Sequence, residues 1–324
     1  MNNTPKEIAD FLAKQNRVSI FAHVNPDGDA IGSTCALALA LEKLGIRVEM
    51  YNTYPIPGVY KFLANAEQIR LFTGEEELAE TVVIVDSSNL KRTDLDKYPQ
   101  SLAGKTIVEI DHHLGNDGFG DYNFVEAQSV ANCENVYQVI KELPVEIDEN
   151  IATALYLGIS TDSGSFKFDA VTAQTHRIAA ELLEKGARLD LVRLYIYESV
   201  SPAKLTLEKY LYNNLNIVAG GKLAWCAFDK DILAETKADG NDIDGIVNIM
   251  KNIEGVELAV LFREREDGIK IIFRSKTWLS ANDLAAYFGG GGHKYASGAT
   301  INKSLDESIA AVIAKAEEIM GEKA

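Results

Sequence analysis

RVSIFAHVNPDGDAIGS, Arg17 to Ser33, decides how this chain is read. RVSIFAH (Arg17–His23) is a short, continuous apolar run rich in β-branched and aromatic residues, which reads as a buried strand. NPDGD supplies turn chemistry. AIGSTCALALALEKLG then reads as a small-residue helix stopped by Gly45. Strand, polar turn and helix together make half of a crossover unit.

The pattern recurs outward. IRVEMY, TVVIVD (Thr81–Asp86) and KTIVEID (Lys105–Asp111) are further apolar runs, and the last two end on an acidic residue. Continuous runs alternating with helical patterns predict an α/β fold whose N-terminal domain is a parallel sheet with helices on both faces. Ligands in such sheets bind beyond the carboxyl ends of the strands. His23, Asp86 and Asp111 fall at those ends.

Helical periodicity dominates from about Val130 to Leu215. KLAWCAFD, VELAVLFRERE and IKIIFRSK then read as strands, with EREDG turning between the last two. Helices are expected near Asp242–Ile253, Asn282–Phe288 and Leu305–Met320. The expectation is a domain over residues 1–195 that carries catalysis and metals, a helical linker, and a smaller mixed α/β domain over residues 206–324 that binds substrate.

The 324 residues are 47% hydrophobic and 25% charged, an ordinary globular balance for two domains. The net charge of −16 argues against a protein that tracks long nucleic acid, because such binding uses a clustered basic surface. It leaves room for a short anionic ligand held at a few points, since divalent metals and a few cations can reverse the field of one cleft. Cys35, Cys133 and Cys226 fit no zinc or disulfide spacing and read as buried thiols. MNNTPKEIADFLAKQ does not read as a signal peptide, and no apolar run is long enough to span a membrane. A cytoplasmic protein is expected.

Four clusters carry chemistry: His23 to Ser33 with Asp27 and Asp29, Asp86, Asp111-His112-His113, and Asp162 in GISTDSGSF. Taken singly, each has an ordinary reading. Asp27 or Asp29 could cap a helix, a histidine could be packed, and Asp162 could end a helix. Asp94 and Asp96 in RTDLD show that ordinary case. The combination differs, because three of the chain's five histidines lie in these clusters at strand carboxyl ends. Hard oxygen ligands mixed with imidazole suit Mn²⁺ or Mg²⁺. Two such ions roughly 3.5–4 Å apart can clamp the attacking and leaving oxygens of a phosphoryl transfer. One carboxylate would have to bridge them.

The fifth cluster is FGGGGHKYASGA, with Gly289, Gly290, Gly291, Gly292 and His293. Glycines let a backbone approach a phosphate and aim N–H groups at it. Arg274 and Ser275, at the end of IKIIFRSK, could grip the same phosphate. Arg263 is a weaker candidate, and His176 reads as structural.

These motifs have a family resemblance. HVNPDGDAIGS, Asp86, the literal Asp-His-His at 111–113 and GISTDSGSF resemble the four motifs of the DHH phosphoesterase superfamily. GGGGHKYASG resembles the signature of its DHHA1 domain. The compact two-domain form is most similar to the bifunctional oligoribonuclease and PAP phosphatase group. That resemblance implies hydrolysis of RNAs a few nucleotides long and of the 3′-phosphate of 3′-phosphoadenosine 5′-phosphate (pAp). It implies two divalent ions, with Mn²⁺ favoured over Mg²⁺. His23, Asp27 and Asp86 would hold one ion, and Asp29, Asp86, His112 and Asp162 the other, with Asp86 bridging. His113 would act near the leaving group or orient the phosphate. Arg274, the glycines and His293 would grip the substrate.

Manganese inorganic pyrophosphatases have a different second domain, and RecJ-type exonucleases carry extra ones. Phosphodiesterases of cyclic di-AMP or pApA are the closest competing reading. A non-catalytic nucleotide sensor is the alternative of another class. The expected partner is a short RNA or small nucleotide, with no long nucleic acid and no membrane; a homodimer is compatible with the sequence.

Overall fold

The structure is a computed structural model that describes residues 2–116, 118–238, 240–243 and 245–321. It divides into two compact units, Met1–Ser199 and Val200–Ala324.

The first unit is built on six parallel strands: β1 (Arg17–Phe21), β2 (Arg47–Asn52), β3 (Arg70–Leu71), β4 (Thr81–Val85), β5 (Thr106–Asp111) and β6 (Tyr122–Val125). Their order is β3-β2-β1-β4-β5-β6, so the chain leaves β1 in one direction for β2 and returns on its other side with β4. That reversal is the topological switch point, where an open sheet leaves a crevice at the strand ends. β1 and β4 are the strands that feed His23 and Asp86 into it.

Alternation along the strands separates two cores. Val18, Ile20, Val83, Val85, Val108 and Ile110 face a helical layer. That layer contains α1 (Pro5–Leu12), α2 (Gly28–Glu42), α4 (Asn132–Glu142), α5 (Glu149–Asp162) and α6 (Ala173–Glu184). Phe21, Tyr51, Val82 and Ile84 face the opposite side, covered by Phe72, Leu95 and Tyr98 from short turns and by Leu102 of the one-turn helix α3 (Pro99–Leu102). β3 and β6 are too short to carry an apolar run of their own, which is why no strand was expected there.

Helices α2 and α5 approach closely because glycines line their contact. A β-carbon on Gly32 would stand 2.5 Å from the Ala154 carbonyl oxygen, and one on Gly28 would stand 2.6 Å from Thr161 Oγ1. Small residues at this spacing let two helix backbones meet, and the meeting brings the N-terminus of α2 to the C-terminal end of α5. A one-turn helix α7 (Leu189–Val192) and a π-helical turn over Arg193–Tyr197 end the unit.

The second unit starts with α8 (Pro202–Asn214), then β7 (Asn216–Val218), β8 (Leu223–Phe228), α9 (Lys230–Thr236), α10 (Gly240–Ile243) and α11 (Ile246–Lys251). It continues with β9 (Leu258–Arg265), β10 (Gly268–Ser275), α12 (Ala281–Tyr287), β11 (Gly291–His293), β12 (Ala296–Ile301) and α13 (Leu305–Gly321). The mixed sheet has the order β11-β12-β10-β9-β8-β7, with β8 and β9 parallel and the other pairs antiparallel. One face packs on α12 and α13 through Phe262, Ile271 and Phe273; the other packs on α8 and α11 through Leu261, Ile246 and Met250. Among the described residues, no helix is long and apolar enough to cross a membrane.

Candidate active site

The carboxyl ends of β1, β4 and β5, the start of α2 and the end of α5 converge on one cluster in the first unit. His23 follows β1. Its Nδ1 lies 2.8 Å from the Val24 carbonyl oxygen, which makes Nδ1 the donor and turns Nε2 toward Asp27 (3.8 Å) and Asp86 (3.4 Å). His112 repeats the arrangement. Its Nδ1 faces the Ser129 carbonyl oxygen at 3.2 Å, and Nε2 lies 3.4 Å from Asp86, 3.4 Å from Asp162 and 3.9 Å from Asp29. A backbone acceptor on one ring nitrogen is how proteins present the other to a metal.

Asp86 sits where these groups meet. It follows β4 with φ +55, a left-handed conformation that costs a non-glycine residue about 1–2 kcal/mol and persists where the surroundings enforce it. Its N–H donates to the Ile110 carbonyl oxygen on the neighbouring strand. Oδ2 faces His23, and Oδ1 faces His112 (3.4 Å) and His113 Nδ1 (3.7 Å). Oδ1 is buried and, among the described residues, accepts no hydrogen bond.

Asp29 is fully buried in the first turn of α2. Its Oδ2 accepts the N–H of Asn132 at 2.5 Å and its Oδ1 that of Cys133 at 2.9 Å. Both donors belong to the start of α4, where unpaired N–H groups and the helix dipole favour an anion. Asp27 has the ordinary role as well as a place in the cluster. Its Oδ1 caps α2 by accepting from Asp29 and Ala30, while the carboxylate remains half exposed beside His23. Asp162 closes the cluster from the last residue of α5, partly exposed.

Three groups of side chains therefore bring ligand atoms within 4.8 Å of one another: His23, Asp27 and Asp86; Asp29, His112 and Asp162; and Asp86, His112 and His113. Their protonation shows how the charges compensate. Burial opposes protonation of His23, yet hydrogen bonding and charge from Asp27 and Asp86 outweigh it and raise its pKa to about 10. His112 is pushed up to about 11 in the same way, burial being outweighed by Asp86 first, then Asp29 and Asp162. Burial, then neighbouring carboxylates, push Asp29 and Asp162 above the carboxylate range. Burial also works against an ionised Asp86, but His112 and His23 hold it well below the usual value. The raised values of His23, His112, Asp29 and Asp162 all favour uptake of positive charge by the cluster. Together with the orphaned Asp86 Oδ1, this donor set fits divalent cations.

His113 differs from its neighbour. Its Nδ1 and N–H bind the Asp111 carboxylate, at 2.7 Å to Oδ1 and 3.2 Å to Oδ2. Its Nε2 lies 2.5 Å from Arg92 Nη1. Asp111 is buried and further held by Asn116, and Asn135 Nδ2 donates to its carbonyl oxygen. Asp111 thus orients His113 instead of joining the cluster. Sequence reasoning did not assign roles to Arg92, Asn132, Asn135 or Gly158. None of them carries a local signal; Arg92 opens RTDLD, which reads as an ordinary acidic loop.

In the second unit the expected substrate residues separate. Arg274 is half-buried, on the β10 face shared with Ile272, and its Nη1 donates to the Phe273 carbonyl oxygen at 3.0 Å. Ser275 points to the opposite face, where its buried Oγ has no hydrogen-bond partner among the described residues. The glycine run is largely architectural. Gly289 (φ +74) ends α12. β-Carbons on Gly290 and Gly292 would stand 2.1 Å from the Gly298 carbonyl oxygen and 2.6 Å from that of Ala296, so both glycines are required for β11 to lie against β12. A β-carbon on Gly291 would meet only Asn282 Oδ1, at 3.9 Å, and one on Gly289 would meet nothing within 4 Å. The side chain of His293 lies outside what the structure describes. His176 stacks on Phe166 with ring centroids 5.3 Å apart, in keeping with a structural role.

Comparison with known proteins matches this geometry to a family. Residues 17–159 match the DHH family, N-terminal domain, and residues 221–322 match the DHHA1 domain. A Thermus thermophilus protein named bifunctional oligoribonuclease and PAP phosphatase NrnA is 33% identical over 305 residues, 92% of this chain and 88% of its own length. This chain belongs to the DHH family. A Bacillus subtilis protein of the same name is 29% identical over 317 residues, 93% of this chain and 94% of its own length. Among solved structures, an exopolyphosphatase-related protein from Bacteroides fragilis superposes with a TM-score of 0.90 at 27% identity, covering 97% of this chain and 95% of that one. As a DHH family member with these relatives, the chain is a phosphoester hydrolase.

Proposed function

We propose that this hydrolase cleaves short oligoribonucleotides to mononucleotides and removes the 3′-phosphate of pAp to give AMP, using two divalent ions with Mn²⁺ preferred. The observation that carries the reading is Asp86: one carboxylate whose two oxygens face different imidazoles, His23 and His112, with Oδ1 buried and, among the described residues, accepting no hydrogen bond. His23, Asp27 and Asp86 would hold one ion; Asp29, Asp86, His112 and Asp162 would hold the other. Bound there, the ions would neutralise phosphate charge and make an attacking water more acidic.

The protein's own groups account for the rest of the arrangement. The Val24 and Ser129 carbonyls set the ring orientation of His23 and His112. The α4 N-terminus holds both oxygens of Asp29, and Asp111 holds His113 beside the cluster. The names of the two relatives, oligoribonuclease and PAP phosphatase, support the choice of short oligoribonucleotides and pAp within the family. The acidic net charge supports a short substrate over a long one. In the second unit, Arg274 is the residue we assign to grip the distal part of the nucleotide.

The test is a side-by-side rate comparison on pAp, a diribonucleotide, a longer RNA and cyclic di-AMP, after EDTA treatment and readdition of Mn²⁺ or Mg²⁺. The expected result is no turnover without metal, best recovery with Mn²⁺, and fastest cleavage of the dinucleotide and pAp. Preferred hydrolysis of cyclic di-AMP would replace this reading with the phosphodiesterase one. Full activity after EDTA would end the metal assignment.

A further inference from the structure

The cluster consists of carboxylates and imidazoles, yet the group it acts on is an anion. Arg92 is a cation fixed beside it. Its backbone is clamped at both ends: the Asn89 side chain accepts its N–H at 3.1 Å, and its carbonyl oxygen accepts from Val24 N at 2.7 Å, next to His23. The turn that carries it, Leu90–Thr93, is tightened by Ser87 Oγ donating to the Asn89 carbonyl and Thr93 Oγ1 donating to that of Leu90.

The side chain reaches back to the cluster, with Nη1 2.5 Å from His113 Nε2. Because His113 Nδ1 donates to Asp111, its Nε2 is the acceptor, and guanidinium is always the donor. Both ring nitrogens of His113 are thus occupied, so the ring offers no free N–H to a phosphate. Guanidinium has five N–H groups in a planar fork, and a fork suits a phosphate's oxygens. Among the described residues Arg92 forms no ion pair, whereas Arg17, Arg47, Arg188 and Arg193 of the same unit each bind a carboxylate. A half-buried, backbone-clamped guanidinium left without a carboxylate beside an acidic cluster is an anion contact.

We propose that Arg92 is the cation of the first unit that donates to a non-bridging oxygen of the phosphate being hydrolysed, with His113 and Asp111 holding its guanidinium in place. The inference rests on the phosphoesterase reading above. It makes Arg92 part of the reacting centre, so its loss affects every phosphate ester and not nucleotides alone.

The experiment uses the full chain loaded with Mn²⁺ and bis-p-nitrophenyl phosphate as substrate. Arg92→Ala is expected to lower kcat about 10- to 100-fold, the loss typical of one charge-assisted contact, while the bound Mn²⁺ per chain stays unchanged. Inorganic phosphate should inhibit the variant more weakly than the wild type. Added guanidinium ion should restore part of the rate, and Arg92→Lys should fall in between. In a His113→Ala background, removing Arg92 should still lower kcat, because the phosphate contact is its own. Unchanged kcat in Arg92→Ala overturns the proposal. So does the absence of any further loss in the His113→Ala background, which would reduce Arg92 to a prop for the imidazole. If the alanine variant loses its circular-dichroism spectrum, Arg92→Lys decides alone: wild-type kcat and phosphate inhibition would overturn the proposal, and a fall in both would support it. A wild-type protein inert toward every phosphate ester with metal present would instead overturn the phosphoesterase reading itself.

Discussion

A β-carbon at position 158 would stand 2.6 Å from Asp29 Oδ1. The two residues lie on different helices, α5 and α2, and the missing side chain of Gly158 is what lets the fully buried carboxylate occupy its place. The same β-carbon would be 2.2 Å from Cys133 Sγ, the residue whose N–H holds Asp29. One glycine therefore protects both the ligand candidate and its support.

Gly158→Ala should accordingly harm the site and the fold together. Neither a buried carboxylate clamped by two N–H groups nor a buried thiol can give way freely, so overpacking should cost about 1–3 kcal/mol. Urea denaturation and metal analysis would show lower stability and less than the wild-type metal content. Gly58→Ala, where a β-carbon meets open space, serves as the control and should change neither. Wild-type stability and metal content in Gly158→Ala would refute this account of the packing.

Asp86→Asn separates charge from backbone. Asparagine tolerates the left-handed conformation that Asp86 adopts, so the turn after β4 should persist. What disappears is the negative charge shared by His23 and His112. Circular dichroism should be unchanged, while bound metal falls and turnover of bis-p-nitrophenyl phosphate drops below detection. Retention of two ions and of activity would remove Asp86 from the centre of the cluster.

Arg274→Ala should distinguish substrates. Loss of a charge-assisted contact costs about 1.5–3 kcal/mol, which would appear in kcat/KM for pAp or a dinucleotide. Bis-p-nitrophenyl phosphate has no distal phosphate to lose, so its rate should be nearly unchanged. An equal fall with both substrates would place Arg274 at the reacting centre and contradict a distal grip.

Glu257 gives the second unit a pH dependence. Burial disfavours its charge, but the N–H groups of Leu279, Thr277 and Trp278 and the Thr277 hydroxyl all donate to it and hold its pKa below the usual value. A carboxyl depressed on folding contributes stability above its unfolded pKa, and that stability is lost as pH falls through the folded value. Glu257→Gln should cost about 1–2 kcal/mol at pH 7, with the gap to wild type closing under acid. Denaturation curves at both pH values would check this, and a gap that widened in acid would contradict it.

The site's ingredients were legible before any fold was known, because strand chemistry is local. A continuous apolar run such as TVVIVD buries itself, and the first polar residue after it must emerge at the sheet's carboxyl edge. That logic places His23, Asp86 and Asp111 at one sheet edge without knowledge of a single contact, and His112 follows Asp111 directly. The short strands Arg70–Leu71, Tyr122–Val125 and Gly291–His293 escaped it, since two to four residues, or a run of glycines, carry no readable period. The glycine run suggested a phosphate cradle, whereas two of its members are explained by the close approach of β11 to β12.

Tertiary structure alone decided which atoms hold the site in place. Asn132 and Cys133 donate to Asp29 across 103 and 104 residues, and Gly158 makes the space from a third helix. It also turned Asp111 away from the cluster to orient His113, and brought Arg92 up to that ring from a turn that resembled any solvated loop. Periodicity and turn chemistry report a residue's own neighbourhood. A backbone N–H, a missing β-carbon or a guanidinium in its reach has no signature in sequence until folding sets it against a partner from far along the chain.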